Sequence, residues 1–222
     1  MVFRATTVNI SQQILLNGLG FSGGPSSTYT AVSQTGYGID GESGDVPDPQ
    51  QQYGGNPLMT ASGGGGRGSC DGSGAGGSAA QPAQVASMKP TSCAPNANFL
   101  PSDPGVSDPQ HLLLGAGGGA GGAKNKNVAT MIGGAGGGVA VIFSNVINFT
   151  GLGSIHSVGS AGQSPSFCGD GGTPGSAGGG AGGSILLIAQ QINGIAALDV
   201  SGGFGGSDTC GNNRRNDPIC QQ

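Results

Sequence analysis

Between Gly133 and Gly206 one pattern is written twice: a glycine block, an apolar run, a short polar link, a second apolar run, then glycine again. The first copy is GGAGGGVAVIFSNVINFTGLGSIHSVGSAG and the second is GGGAGGSILLIAQQINGIAALDVSGGFGG. Setting Val139 on Ser184 brings Ile147 and Asn148 onto Ile192 and Asn193 at an offset of 45, whereas Ile155 meets Leu198 at 43. The copies therefore differ by a small deletion. A fainter echo, VNISQQILLNGLGFSGG, opens the chain with the same polar Gln-Gln link, apolar run and glycine exit. Self-similarity at a period of roughly 20–50 residues is the mark of repeat architectures, and the chain reads as built from such units.

The apolar runs VAVIF, SILLIA and ALDV are short, rich in Val and Ile, and closed by glycine. Helices of that length are marginal in water, and flanking glycine weakens them further, so the runs read as strands. The scarcity of charge inside the repeats suggests that both faces of these strands are covered. The glycine blocks have two physical uses. They supply positive φ at tight corners, or they form extended chain packed so closely that a side chain larger than Ala would clash. The competing reading is flexible linker.

The chain has 222 residues with 50 Gly and 13 Pro, a proportion at which low complexity is the default expectation. Against that default, the 35% hydrophobic share is gathered into discrete runs. Ordering so much glycine costs backbone entropy, which calls for dense packing or an assembly that pins the chain. The length suits one domain or two small ones, and an elongated solenoid needs no large central core. Charged residues make up only 8%, and the seven Lys and Arg form no basic patch, so no nucleic-acid partner is expected. No run reaches about 18 apolar residues, so no membrane span is expected. The N-terminus MVFRATTVNIS lacks an apolar signal region, so a secretory signal is expected to be absent or already removed.

One glycine-rich β domain over 1–222 divides into four stretches. Residues 1–62 carry one or two N-terminal strands ending in a Gly23-Gly24-Pro25 turn, then a polar loop holding every tyrosine of the chain, Tyr29, Tyr37 and Tyr53. Residues 63–132 combine glycine blocks with a proline-rich excursion unsuited to sheet or helix. Residues 133–206 hold the two repeats, and 207–222 form a polar tail. Tyrosine suits recognition surfaces, so Tyr29, Tyr37 and Tyr53 are candidates for surface recognition; covering the strand ends is the alternative. The five cysteines show no CxxC spacing, which argues against zinc and redox motifs. Cys168 and Cys210 each begin a Cys-Gly pair after a repeat, and stacked repeats would bring them within about 5 Å, inside disulfide reach. Cys70 with Cys93 is a second candidate pair, leaving Cys220 free or available to a neighbouring subunit. Disulfides would place the protein outside a reducing cytosol.

Catalytic residues are hard to find. Only His111 and His156 offer imidazole bases, and no nucleophile elbow or Cys-His motif accompanies them. In SIHSV, His156 reads as an outward-facing or capped strand residue. The acidic group Asp40, Glu42, Asp45 and Asp48, and Asp170, match no calcium loop, so no metal and no cofactor is expected. GxGxxG occurs at Gly117, Gly119 and Gly122 and again at Gly178, Gly180 and Gly183. Neither match carries the strand, turn and helix start that a nucleotide site requires. Asn9-Ile-Ser and Asn148-Phe-Thr are glycosylation sequons, Asn148 reading as part of a strand link.

The order GFSGG, GES, GGGG, LLGAGGGAGG, GGAGGGVAVIF and GGGAGGSILLIA resembles glycine-rich repeat proteins of microbial and viral surfaces. The glycine blocks alone are similar to those of phage tail-tip adhesins and springtail antifreeze proteins, which use bundled polyglycine II helices. The Val/Ile/Leu runs and the lack of a sustained Gly-x-x period depart from the antifreeze pattern. The resemblance implies a structural or adhesive role and assigns no residue. The expected fold is all-β, a glycine-rich solenoid or sandwich with extended, polyglycine II-like segments and long irregular loops. The expected function is non-enzymatic self-association into an extracellular, cell-surface or virion-surface fibre, filament or coat. An adhesin tip engaging a host-surface glycan is the alternative. A polysaccharide-cleaving β-helix, betrayed by carboxylates converging on one face, stands third.

Overall fold

The computed structural model describes residues 1–26, 41, 76–77, 112, 114–122, 129–165 and 175–207. Among them are six strands and no helix: β1 (Val2–Ile10), β2 (Gln13–Leu15), β3 (Val139–Phe149), β4 (Ser154–His156), β5 (Ser184–Asn193) and β6 (Ala197–Asp199). They form two three-stranded sheets, ordered β1-β3-β5 and β2-β4-β6, and every pairing is parallel. Each pairing joins equivalent parts of successive copies, so the protein is all-β in its described part.

The registers reproduce the sequence offsets. β3 and β5 pair Val139 with Ser184 and Asn148 with Asn193, a step of 45, while β4 and β6 pair Ile155 with Leu198, a step of 43. The two-residue difference falls in the corner between the strands, where Gly151-Leu152 of the middle copy takes a turn. Gly151 and Gly194 both have positive φ there, at 59° and 87°. A Cβ at Gly194 would also strike the Phe149 carbonyl, so the corner is closed to other residues twice over. The opening echo of the sequence is a full third copy, pairing Val8 with Ile147 and Ile14 with Ile155.

Two expectations change. The polar links do not divide the runs: β3 passes straight through Ser144 and Asn145, and β5 through Gln190 and Gln191, because an extended chain puts alternate residues outward without breaking the ladder. Asn148 accordingly lies inside β3 rather than at a link. Coverage of both strand faces also holds only in the middle. In β3, Ala140, Val141 and Ile142 are buried in succession, whereas β1 and β5, each with one neighbour, leave much of their length exposed. Position in the stack, not residue type, makes that difference. The core cluster draws on both sheets, with Ile10, Ala140, Ile142, Ile147 and Phe149 from one and Ile155 of the other, joined by Leu16.

The glycine segments enter and leave this strand stack. Gly115, Gly118 and Gly121 donate their N–H groups to Gly137, Gly134 and Met131 at 2.8, 2.8 and 3.0 Å. Gly175, Gly178 and Ala181 donate to Gly122, Gly119 and Ala116, and Ala177, Gly180 and Gly183 to Gln163, Ser160 and Ser157. Bonds to any one neighbour thus recur every three residues, and the intervening residues bond to other neighbours. A β-strand, with period two, cannot do this. No glycine of these blocks is among the positive-φ glycines, so none of them makes a positive-φ corner. The turn expected at Gly23-Gly24-Pro25 is not formed, and Gly24 N instead donates to Gly118 O at 2.8 Å.

Candidate assembly surface

The sheets end on β5 and β6 at one side and on β1 and β2 at the other, and among the described residues no strand covers either outer edge. The apolar columns running across the sheets show what that exposes. Val8, Ile147 and Ile192 form one column, and Ile14, Ile155 and Leu198 another. Ile147 and Ile155 have no solvent exposure, whereas Ile192 is 48% and Leu198 49% exposed. Ile188, Ile195, Val200 and Phe204 extend the same apolar side, and Val2, Phe3, Leu15 and Leu19 are exposed on the opposite one. Open, apolar strand edges are pairing templates that soluble proteins ordinarily shield with charge, proline or a bulge. Among the described residues the only charged side chain at the β1–β2 edge is Arg4, and at the β5–β6 edge it is Asp199.

A polar column accompanies the apolar ones. Asn193 Nδ2 donates to Asn148 Oδ1 at 2.8 Å, and Asn148 Nδ2 donates to Asn9 Oδ1 at 2.8 Å. Stacked, identical amides can repeat this bond at each strand step, as in cross-β ladders. At one end, Asn193 Oδ1 accepts a bond from Gln191 Nε2 at 2.8 Å. At the other, Asn9 Nδ2 donates to no described residue. The two sequon asparagines are therefore consecutive rungs of the ladder, and a glycan on Asn148 would replace one of the hydrogens that Asn148 Nδ2 offers.

His156 is the last residue of β4, where it pairs with Asp199 of β6. Its Nε2 lies 3.0 Å from Ser154 Oγ, and its Nδ1 lies 3.7 Å from Asp199 Oδ2. Ser, His and Asp in sequence of contact resemble a hydrolytic triad, but Ser154 is 4% exposed and two residues along the same strand from His156. A nucleophile needs a path to its substrate, so the group reads as a satisfied strand histidine. Asp199 accepts the Ser201 backbone N–H at 3.0 Å. That bond above all, then the Ser201 hydroxyl, holds its carboxyl below the usual range against an opposing effect of desolvation, with the nearby imidazole adding a lesser lowering. Asp199 is the only carboxylate side chain among the described residues, and no group of metal-ligating side chains occurs there. No helix among them is long and apolar enough to cross a membrane.

All five cysteines, Cys70, Cys93, Cys168, Cys210 and Cys220, lie outside the described residues, as do Tyr29, Tyr37 and Tyr53, His111 and the acidic group from Asp40 to Asp48. Both GxGxxG matches lie in the glycine segments, hydrogen-bonded to other backbone. The asparagine ladder has one signal in the sequence, the recurrence of one polar residue at one register, since Asn148 and Asn193 align at the offset of 45. The His156–Asp199 contact was equally readable from the offset of 43. Compared with known proteins, no family model matches the chain, and no match was found to a curated protein or a solved structure.

Proposed function

We propose that this protein is a non-enzymatic structural subunit that associates with copies of itself into a fibre, filament or coat on an extracellular or virion surface. The observation that carries the reading is the pair of parallel edges that no described strand covers: Phe3 on one and Ile192 on the other are about half exposed, although their partners in the middle copy, Ile142 and Ile147, are fully buried. Stacked units without a polar cap invite further stacking, and a contact that does not close on itself propagates. On this reading the three copies are coils of a short solenoid-like stack, and the glycine segments are a polyglycine II-like bundle continuous with it. The period-three hydrogen bonding supports the second part, since three residues per turn is the repeat of that helix type. The absence of bulky side chains then has a purpose, because backbones meet backbones throughout the array.

Sedimentation over a wide concentration range, paired with electron microscopy of the most concentrated sample, tests the proposal. Mass that climbs with concentration and particles elongated along one axis are expected. A monodisperse monomer at the highest concentration would remove the reading.

A further inference from the structure

The two edges that no described strand covers are complementary in one register, and we infer that copies join head to tail with the β1–β2 edge of an incoming chain laid parallel on the β5–β6 edge, Asn9 stacking on Asn193. This rests on the self-association reading and specifies its contact. Within the chain, Val2 pairs through Val141 to Leu186, Asn9 through Asn148 to Asn193, Gln13 through Ser154 to Ala197, and Leu15 through His156 to Asp199. The end members of these four columns are all 184 residues apart, in both sheets. That constancy has a cause in the corners. Three residues separate Asn9 from Gln13 and three separate Asn193 from Ala197, whereas five separate Asn148 from Ser154. The first and third copies therefore share a corner length that the middle copy lacks. One rigid placement seats β1 on β5 and β2 on β6 together, with no adjustment between the sheets.

The side chains agree with that placement. Val8 of the incoming copy falls on Ile192 and Ile14 on Leu198, completing the columns whose middle members, Ile147 and Ile155, are fully buried. The amide ladder has a direction, from Asn193 to Asn148 to Asn9, so it ends in an unused Nδ2 on Asn9 and an Oδ1 on Asn193 that only Gln191 caps. Donation from the incoming Asn9 to Asn193 continues it with the same polarity. The backbone continues too. Leu16 N donates to His156 O and Ser157 N to Asp199 O, so the next step places Val200 N on the carbonyl of the incoming Leu15. A two-residue slip keeps every side chain on its face but breaks the amide ladder and mismatches the corners.

Cysteine cross-linking reads the register directly. Thr7 and Gln191 are exposed and fall opposite each other in the proposed contact, at a strand spacing that a disulfide spans. In full-length protein carrying Thr7→Cys and Gln191→Cys, oxidation should give covalent multimers in which mass spectrometry finds positions 7 and 191 joined. A chain carrying Ala5→Cys and Gln191→Cys, two residues out of step, should give at least about tenfold less of its cross-link. Independently, Ile192→Lys with Leu198→Lys should raise the concentration needed for assembly at least tenfold while the thermal transition of the monomer persists. Assembly of the wild-type chain with equal or greater cross-linking by the out-of-step pair, or assembly untouched by the two lysines, overturns this register and leaves self-association standing. Failure of the wild-type chain to assemble overturns both.

Discussion

The strand stack and the glycine array are continuous, and each of the three copies contributes to both, yet they are held together by opposite means. In the stack, side chains form the contact: Ile142, Ile147 and Ile155 lose all exposure by lying between neighbours of their own kind. In the array, side chains are excluded so that each backbone bonds several others, with the N–H groups of Gly133, Gly134 and Gly136 going to Gly24, Gly178 and Phe21 respectively. Apolar burial is roughly proportional to area and tolerates exchange of similar volumes, whereas an interlocked backbone lattice has no slack to give. The array should therefore be intolerant of small additions, and the stack of large deletions.

Gly136→Ala tests the first half of that contrast and carries the largest expected effect. Its Cβ would meet the Gly115 carbonyl oxygen, carbonyl carbon and Cα, all backbone atoms that cannot rotate away. Overpacking of this kind costs about 3 kcal/mol or more, and thermal melting followed by circular dichroism should show a strongly lowered or lost transition. A single methyl group tolerated there without change would break the comparison. In the stack, Ile147→Ala should cost about 2–5 kcal/mol. Ile192→Ala, in the same column but half exposed, should cost clearly less in the monomer by the same denaturation measurement. Equal losses would mean that depth in the stack does not set the energetics.

Smaller effects sharpen the polar part of the stack. Asn148→Ala removes the middle amide, leaving Asn9 Oδ1 and Asn193 Nδ2 without their partner, at about 1 kcal/mol because the ladder is partly exposed. Urea denaturation should resolve it, and Asn9→Ala, which breaks one rung instead of two, should cost less. The smallest effect is that of acid. Asp199 has its carboxyl lowered in the folded state, so the stabilisation it contributes is present above the unfolded value of about 3.9 and is lost as pH falls through the folded one. A mild loosening of the β6 corner below that range, seen as faster amide exchange near Ser201, should vanish in Asp199→Asn. Because the carboxylate is solvent-exposed, its bond should matter little to global stability.

Much of the stack was legible because repetition encodes pairing. The offsets of 45 and 43 between the copies are the registers of β3 on β5 and of β4 on β6, and the deletion between them marks the corner. Parallel stacking of equivalent units makes alignment and pairing the same operation. Less was legible where residues act by position in the stack. Ile147 and Ile192 are the same residue at equivalent places, and only the count of neighbours makes one core and the other surface. In the sequence the asparagines stand out as sequons rather than rungs, since a sequon is local and a ladder needs three segments at once. For the glycine blocks, corner and close-packed extended chain predict the same composition.

What the sequence determined by itself was the unit: apolar runs of strand length, glycine on both sides, and the residue-by-residue correspondence between copies. It could do so because each of these is a local property repeated, and repetition exposes it. What only the tertiary structure decided was the use of the backbone between the units, bonded every third residue to several partners, and the inequality between inner and outer copies. Glycine carries no side chain in which to write its partners, and burial belongs to the assembly of segments rather than to any one of them.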